Sequence, residues 1–236
     1  MKPALNTEIN KKIIKLWRKQ FGASENVCAP FLYGNFVQDS LLFIGCNPSF
    51  SEKGFRDFLR NGNEKLDPKV FFKWANIYAN SDNIAKCIEI DRAAFEYYDA
   101  YFKKLKEISN EVRLPWEHAD LFLYRQTSQK DFKQHIMNKK NLNEFGESQI
   151  KIFREVLDAM RPKIIVVANA FASQIFQNEF SKEISFDNAY GWHWFKNKIP
   201  IFFSSMLSGQ RALDRGSYER LKWHIGQAAI YCKKST

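Results

Sequence analysis

An apolar run that ends abruptly in a polar turn most constrains how this chain can fold. Residues 41–44 are all apolar, and the sequence then changes to Gly45-Cys46-Asn47-Pro48-Ser49. Four to eight apolar residues bounded by Gly and Pro are typical of a strand that is covered on both faces. Ligands of open parallel sheets bind at the carboxyl ends of such strands. We therefore expect the turn at 45–49 to form one wall of a functional site.

The rest of the chain predicts strands that alternate with helices. Apolar spacing and capping residues indicate helices over 9–21, 68–78, 91–108, 144–160, 170–179 and 217–231. β-Branched and aromatic runs indicate strands over 41–46, 119–124, 163–168 and 199–204. Asn169 is positioned to cap the helix that follows the third of these strands. This alternation predicts an α/β fold with a parallel sheet, whose carboxyl-end loops open on one side.

The length and composition favour one domain. A chain of 236 residues with 45% hydrophobic content can bury a full core, and no Pro/Gly/Ser-rich linker divides it. We expect a single domain over 1–236, with an N-terminal helix and lead-in over 1–37 and a helical insert over 51–115. No apolar stretch is long enough to span a bilayer, and no signal-peptide pattern opens the sequence. The sequence therefore predicts a cytoplasmic monomer with no membrane partner.

The cysteine pattern does not indicate a metal site. The four cysteines are far apart and form no Cys-x-x-Cys pair: Cys28, Cys46, Cys87 and Cys232. We expect reduced, buried thiols, no metal and no cofactor. The sequence also lacks a Walker-type or Gly-x-Gly-x-x-Gly loop, which argues against an NTPase or a dinucleotide enzyme.

The charge balance favours a polyanionic partner. The formal net charge is +10 and the pI is near 9.3, and Lys and Arg that neutralise phosphates release condensed counterions. An aromatic content of 16%, with 22 Phe, adds rings on which bases could stack. The alternative is a solvated, Lys-rich surface that binds nothing specific.

Two short motifs resemble those of a known family. Gly45-Cys46-Asn47-Pro48-Ser49 resembles the first motif of the uracil-DNA glycosylase superfamily, in the Gly-x-Asn-Pro-Gly form of its mismatch-specific and single-strand-selective branches. Ser204-Ser205-Met206-Leu207-Ser208 is similar to the second motif, commonly Pro-Ser-x-Leu-Ser. The resemblance extends over residues 38–230 and includes the order of the motifs. It implies a three-layer α/β/α fold with a central four-stranded parallel sheet, and DNA as the partner.

The resemblance also implies roles for individual residues. Asn47 would position the attacking water, Ser205 would assist catalysis, and Leu207 would fill the gap left by a flipped-out base. The base pocket would be lined by Gly45, Cys46, Pro48, Ser49, Phe50, Arg125, Gln126 and Asn169. Backbone and phosphate contacts would come from Ser204, Ser208, Gly209 and Arg211. The structural alternatives are that Asn47 only hydrogen-bonds its own turn and that Leu207 is a core residue.

Some residues depart from the family pattern. Phe203 occupies the position where many members carry the His or Asn that stabilises charge on the released base, and residues 121–125 contain no Asn that could read uracil. Arg125, Gln126, Ser205 and Asn169 are candidates to supply the missing charge stabilisation. Phe50 is the preferred stacking ring, with Phe55 and Phe58 as alternatives. His118 and Asp120 could form an acid–base pair, but they lie at the start of the predicted second strand, away from the site, so we expect them to be structural.

Three functions remain open from the sequence. The first is a monofunctional DNA glycosylase that excises a deaminated, damaged or modified base, in repair or in defence against phage. The second is a non-catalytic nucleic-acid or nucleotide-binding member of the same superfamily. The third is an enzyme that cleaves a free nucleoside or nucleotide, which would not need Leu207.

Overall fold

The computed structural model of the protein describes residues 7–49, 56, 59, 66–209 and 212–234, which form a mixed α/β structure. Its helices are α1 (Thr7–Phe21), α2 (Pro68–Phe71), α3 (Trp74–Ala79), α4 (Ser81–Tyr97), α5 (Asp99–Val112), α6 (Gln129–Ile136), α7 (Glu144–Met160), α8 (Ala170–Glu179) and α9 (Arg215–Lys234). Its strands are β1 (Leu41–Gly45), β2 (Trp116–Asp120), β3 (Met137–Asn138), β4 (Asn141–Leu142), β5 (Ile164–Ala168), β6 (Ile184–Asp187), β7 (Trp192–Phe195) and β8 (Ile199–Ser204).

The chain folds into two compact units, and each unit takes its residues from three separate segments. Unit 1 comprises Met1–Asn35, Asn47–Tyr98 and Phe122–Val156. Unit 2 comprises Phe36–Cys46, Asp99–Leu121 and Leu157–Thr236. The two units are therefore interleaved along the sequence and are not successive domains.

Unit 2 contains a six-stranded sheet in the order β2-β1-β5-β8-β7-β6. The first four of these strands are parallel to one another, whereas β7 is antiparallel to β8 and β6 is antiparallel to β7. The predicted mixed α/β architecture with a mostly parallel sheet is confirmed. A strand overlaps each of the four expected ranges, but the sheet has six strands because it also contains the β6–β7 hairpin.

Helices cover both faces of this sheet, as successive side chains of β8 show. Side chains alternate between the two faces of a strand. The ring of Phe202 lies 6.5 Å from that of His224 on α9, while the ring of Phe203 lies 6.1 Å from that of Phe176 on α8. Helix α5 lies on the same face as α9, to which it is joined by a 2.8 Å ion pair between Glu111 and Lys222.

The centre of the sheet is apolar because helices cover it on both sides. All five residues of β1 and all five of β5 are buried, and the strands pair directly with each other. Near-continuous Val, Ile and Leu in such strands is the pattern expected for a parallel sheet buried on both faces. The predicted bounds of β1, β5 and β8 therefore agree with the structure to within one residue.

The second strand begins and ends earlier than predicted. The expected strand was 119–124, whereas β2 spans Trp116–Asp120. The sequence pattern did not indicate the start of this strand because β2 contains buried polar residues. Glu117 is one of them, and it accepts hydrogen bonds from the backbone N–H groups of Val37 and His118. The apolar run after it is buried but is not a strand, because the N–H of Leu123 donates to the side chain of Gln149.

Two predicted helices are each divided in the structure. The helix expected over 91–108 is the end of α4 and most of α5, separated by Tyr98, whose φ of −90° and ψ of 68° are not helical. The helix expected over 68–78 begins at Pro68 with Asp67 as its N-cap, but it ends at Phe71 and α3 follows. Local apolar spacing did not reveal either interruption.

The core of unit 1 is largely aromatic. Helix α1 places Trp17 against Phe145 of α7, with ring centroids 5.2 Å apart, and Phe21 stacks on Tyr124 at 6.0 Å. Trp17 is fully buried and its indole N–H donates to the carbonyl of Cys28. This confirms the amphipathic first helix, since its apolar side forms this core.

Candidate active site

The turn that follows β1 is held by the side chain of Asn47. Its amide nitrogen donates to the carbonyl oxygens of Gln126 at 2.7 Å, Tyr124 at 3.2 Å and Pro48 at 3.3 Å. The backbone N–H of Gln126 returns a hydrogen bond of 3.1 Å to the carbonyl of Pro48. The turn of the first motif is therefore tied to the segment 124–126 within unit 1.

This hydrogen bonding fixes the orientation of the Asn47 amide. Three carbonyl oxygens surround its nitrogen, and an amide oxygen in the same place would meet three acceptors without a donor. Oδ1 consequently faces away from these carbonyls, and among the residues that the structure describes none donates a hydrogen bond to it. The side chain is half-buried, so it combines a structural amide nitrogen with an oxygen that is oriented but not used by the turn.

Beside Asn47, the first-motif turn carries small polar groups. Ser49 is exposed, and its hydroxyl lies 3.4 Å from that of Thr127. The side-chain oxygen of Gln126 accepts from the backbone N–H of Ser128, so this side chain stabilises its own loop. The predicted pocket residues Pro48, Ser49 and Gln126 are thus brought together with Asn47.

Arg125 has a different environment from the one expected for a base reader. Its guanidinium lies 2.5 Å from a carboxylate oxygen of Asp91, and both side chains are almost fully buried. It also donates to the carbonyls of Ala29 and Pro30. Burial raises the pKa of Asp91, and the facing Arg125 opposes that rise. The prediction that Arg125 contacts a base is corrected: this group is committed to a buried ion pair inside unit 1.

In unit 2, the residues of the second motif follow β8 in a compact loop. The N–H of Leu213 donates to the carbonyl of Met206, and Gly209 has the positive φ of 84° that Gly adopts without strain. Leu207 is only 2% exposed, and the hydroxyl of Ser208 donates to the carbonyl of Tyr101 at 2.9 Å. In this conformation neither Leu207 nor Ser208 is presented to DNA, so their predicted contacts would require the loop to rearrange.

Two further predicted residues serve the fold of unit 2. Asn169 caps α8, with its side-chain oxygen accepting from the N–H of Ala172 at 3.0 Å, as the sequence predicted. Phe203 packs edge-on against His193, with centroids 5.3 Å apart. Ser205 is half-buried in the loop. The predicted residues Phe50 and Arg211, with Phe55 and Phe58, lie outside the residues that the structure describes.

A row of residues across the carboxyl edge of the sheet combines two predicted site residues, Gly45 and Ser204, with two that were not predicted to belong to a site, Asp120 and Ala168. Asp120 is in register with Gly45, and Ala168 is in register with Ser204. Since Ile44 pairs with Val167, Gly45 and Ala168 come next on adjacent strands. The row therefore reads Asp120, Gly45, Ala168 and Ser204. The Ser204 hydroxyl is buried and hydrogen-bonds to no described residue.

Gly45 is required by the side chains of β2. A Cβ at this position would lie 2.1 Å from Oδ1 of Asp120 and 3.1 Å from Nε2 of His118. Real Cβ atoms essentially never approach another atom to 2.1 Å, so a side chain at position 45 would displace the carboxylate. The first motif thus begins with Gly because Asp120 occupies the space that a side chain would need. The incorrect strand bounds concealed this contact, since they placed Asp120 at the wrong end of β2.

The described residues show neither a metal site nor a membrane span. No group of three or more His, Cys, Asp or Glu in the described ranges is arranged to hold a metal ion, and the four cysteines there are free thiols. No described helix is both long and apolar enough to cross a bilayer. The sequence matches no known protein-family model and no curated protein.

The buried ion pair predicts a large loss of stability when one partner is removed. Arg125→Met should lower the free energy of unfolding by about 3–5 kcal/mol, because Asp91 is left buried without its counterion. Arg125→Met combined with Asp91→Leu should recover much of that loss. Urea unfolding of both variants measures this, with Arg18→Met on the surface of α1 as the control. Equal destabilisation in the single and double variants would contradict the assignment.

His118 predicts a dependence of stability on pH. Burial lowers the pKa of His118 to about 3 from an ordinary value of 6.5. Between these values the unfolded chain binds a proton that the folded chain does not, so the free energy of unfolding should fall as pH drops through this window. His118→Gln should reduce that slope in unfolding experiments between pH 7 and 4, relative to the wild type. An unchanged slope would show that His118 is not held neutral.

Proposed function

We propose that the protein is a DNA glycosylase that hydrolyses the N-glycosidic bond of a flipped-out deaminated, damaged or modified base and leaves an abasic site. The observation that carries the proposal is the fixed orientation of Asn47, whose amide nitrogen is held by three carbonyls while Oδ1 faces away from them. Because the amide group is planar, the hydrogen bonds that hold its nitrogen also fix the position of its oxygen.

An oriented amide oxygen suits this chemistry. Cleavage of the N-glycosidic bond builds oxocarbenium character on the sugar, and a water must be held in line with the developing cation. An amide oxygen accepts a hydrogen bond from such a water but does not take up its proton. We therefore assign to Asn47 the positioning of the attacking water. Other groups stabilise the departing base and transfer the proton.

The sheet is compatible with the fold that the motif resemblance implies. Four parallel strands, β2, β1, β5 and β8, are adjacent in the sheet of unit 2. The second motif follows the last of them, and the first motif follows β1. Parallel sheets bind ligands at the edge where these strands end. The uracil-DNA glycosylase-like arrangement remains part of the proposal and does not depend on the β6–β7 hairpin.

DNA is preferred over a free nucleoside because of the charge of the chain. The net charge of +10 favours a ligand with many phosphates, and a base in a duplex must be extruded at a cost of a few kcal/mol before its glycosidic bond is reachable. A single nucleoside offers little for such a charge to bind. The proposed substrate is accordingly a base within DNA.

A second candidate function is favoured by the second-motif loop. Leu207 is buried and Phe203 is packed into the α8 layer, so in this conformation Leu207 is not a wedge and Phe203 does not stabilise charge. These features suit a superfamily member that binds nucleic acid or nucleotides without chemistry. Salt-sensitive DNA binding without abasic sites would identify that function.

The test of the proposed function is an abasic-site assay. The purified protein is incubated with DNA carrying uracil, hypoxanthine, oxidised or glucosylated bases, and abasic sites are revealed by alkaline cleavage. Asn47→Ala should lower the single-turnover rate of base release by about 10²–10³-fold, since it removes one preorganised polar group. DNA affinity should change little.

The control for this experiment is Asn188→Ala, which removes an exposed Asn from the β6–β7 turn. Thermal unfolding of both variants separates lost chemistry from lost stability. A folded Asn47→Ala variant that releases bases at the wild-type rate would remove the proposed role of Asn47. Absence of release from every DNA, with DNA binding intact, would favour the binding function.

A further inference from the structure

The β3–β4 hairpin of unit 1 presents two lysines at its tip. Asn138 pairs with Asn141 in antiparallel register, so Lys139 and Lys140 form the two-residue turn between the strands. Both lysines are exposed, and Lys139 has a φ of 56°. Residues with a side chain rarely adopt this conformation, and Gly, Asn and Asp are the types that favour it. The geometry of the turn therefore does not explain why a lysine stands at position 139.

The base of this hairpin is firmly anchored within unit 1. Phe132 and Ile136 of α6 are fully buried, and the N–H of Asn143 donates to the carbonyl of Ile136 at 2.9 Å. The Asn143 side chain also donates to the carbonyl of His135 and accepts from the N–H of Gly146, both at 2.9 Å. These hydrogen bonds tie the end of α6 to the start of α7 across the hairpin. The two lysines therefore project from a well-held support.

Neighbouring acids do not neutralise the charge of the tip. The segment 129–142 contains four Lys and one Asp, which gives it a formal charge of +3. Among the residues that the structure describes, none forms an ion pair with Lys139 or Lys140. Lys196 provides a contrast, since it also has a positive φ in a hairpin turn but pairs with Asp158 at 2.7 Å. The tip of the β3–β4 hairpin thus carries charge that a polyanion can neutralise.

Helix α6 connects the hairpin to the first-motif turn. The Asn47 amide donates to the carbonyl of Gln126, and the hydroxyls of Ser49 and Thr127 lie 3.4 Å apart. The next residue, Ser128, is the N-cap of α6. The eight residues of α6 rise about 12 Å and the two residues of β3 about 7 Å, so the tip lies within about 19 Å of Ser128. All of these residues belong to unit 1.

We propose that Lys139 and Lys140 bind the phosphate backbone of the DNA that flanks the target base. The proposal rests on the proposed function for the identity of the partner as DNA. Each strand carries a phosphate about every 3.4 Å along the helix axis, so a reach of about 19 Å corresponds to roughly six base pairs. Phosphate contacts of this kind hold a duplex in position without reading its sequence. The hairpin would thus hold flanking DNA on the unit that carries Asn47.

The first experiment measures the affinity for a long DNA duplex as a function of salt concentration. Each phosphate contact contributes about 0.9 to the slope of log K against log salt, so Lys139→Asn combined with Lys140→Gln should reduce the slope by about 1.8. The matching loss of affinity is about 60-fold near 0.1 M salt and disappears toward 1 M. Asn suits the positive φ at position 139, so thermal unfolding of this variant should match that of the wild type.

A second hairpin turn provides the matched control. Lys196→Asn combined with Lys198→Gln removes the same charge from exposed residues in unit 2. These residues precede β8, at the end of that strand away from the second motif. The control variant should keep nearly the wild-type slope. Lys139→Arg combined with Lys140→Arg retains the charge of the tip and should also keep it.

The second experiment locates the contact along the DNA. The probe is a duplex with one abasic-site analogue, which corresponds to the product of the proposed reaction. The analogue is placed centrally or about three base pairs from either end, which is half of the estimated reach. Shortening the flank that the hairpin contacts should remove the difference in affinity between the wild type and the Lys139→Asn, Lys140→Gln variant. Shortening the other flank should preserve that difference.

The outcomes separate this proposal from the proposed function. A folded Lys139→Asn, Lys140→Gln variant with the wild-type affinity and salt slope would overturn the role of the hairpin, whether or not a base is released. A difference that persists when either flank is shortened would do the same, as would a wild type that binds no DNA. A clear effect of the hairpin on DNA binding by a wild type that releases no base would overturn the glycosylase function and leave the hairpin as a DNA-binding element.

Discussion

Strand β1 makes backbone hydrogen bonds along both of its edges, and the arrangement of unit 2 depends on that pairing. Its five residues are buried, with β2 on one side and β5 on the other. Because the side-chain period of a strand is two residues, a slip of one position would exchange its two faces and turn every packed side chain of β1 toward the opposite helix layer. The register is thereby fixed, and it determines that Gly45 meets Asp120 and that Ala168 meets Ser204.

The features that the sequence predicted are those set by local apolar pattern. The bounds of β1, β5 and β8, the first helix and the Asn169 cap all follow from residues close together in the chain. Strand β2 was misplaced because a buried strand containing Glu117 and His118 has no apolar signature; hydrogen bonds and neighbours elsewhere in the fold make those polar residues tolerable. The hairpin β6–β7 was missed for a related reason, since Trp192-His193-Trp194-Phe195 gives no clear alternation.

The candidate site likewise contains some features that the sequence predicts and others that it does not. Asn47 and its turn could be identified from a motif, because an abrupt end of an apolar strand is visible in the sequence. The partners of its amide nitrogen lie 77 to 79 residues away and could not. Arg125 was misassigned because nothing near it in the sequence shows Asp91, which turns an apparent ligand contact into a buried ion pair. Asp120 required the register of two strands, which no local pattern specifies.

Pro48 directly follows Asn47, and this sequence affects the deamidation of the Asn47 side chain. An Asn side chain normally deamidates when the backbone nitrogen of the next residue attacks its amide carbon to form a cyclic imide. Proline has no backbone N–H, so this cyclisation is blocked at Asn47. The product would also place a carboxylate oxygen toward the carbonyls of Pro48, Tyr124 and Gln126, where the amide now donates. Pro48 thus protects the Asn47 amide, whose conversion to an acid would break the hydrogen bonds that hold this turn.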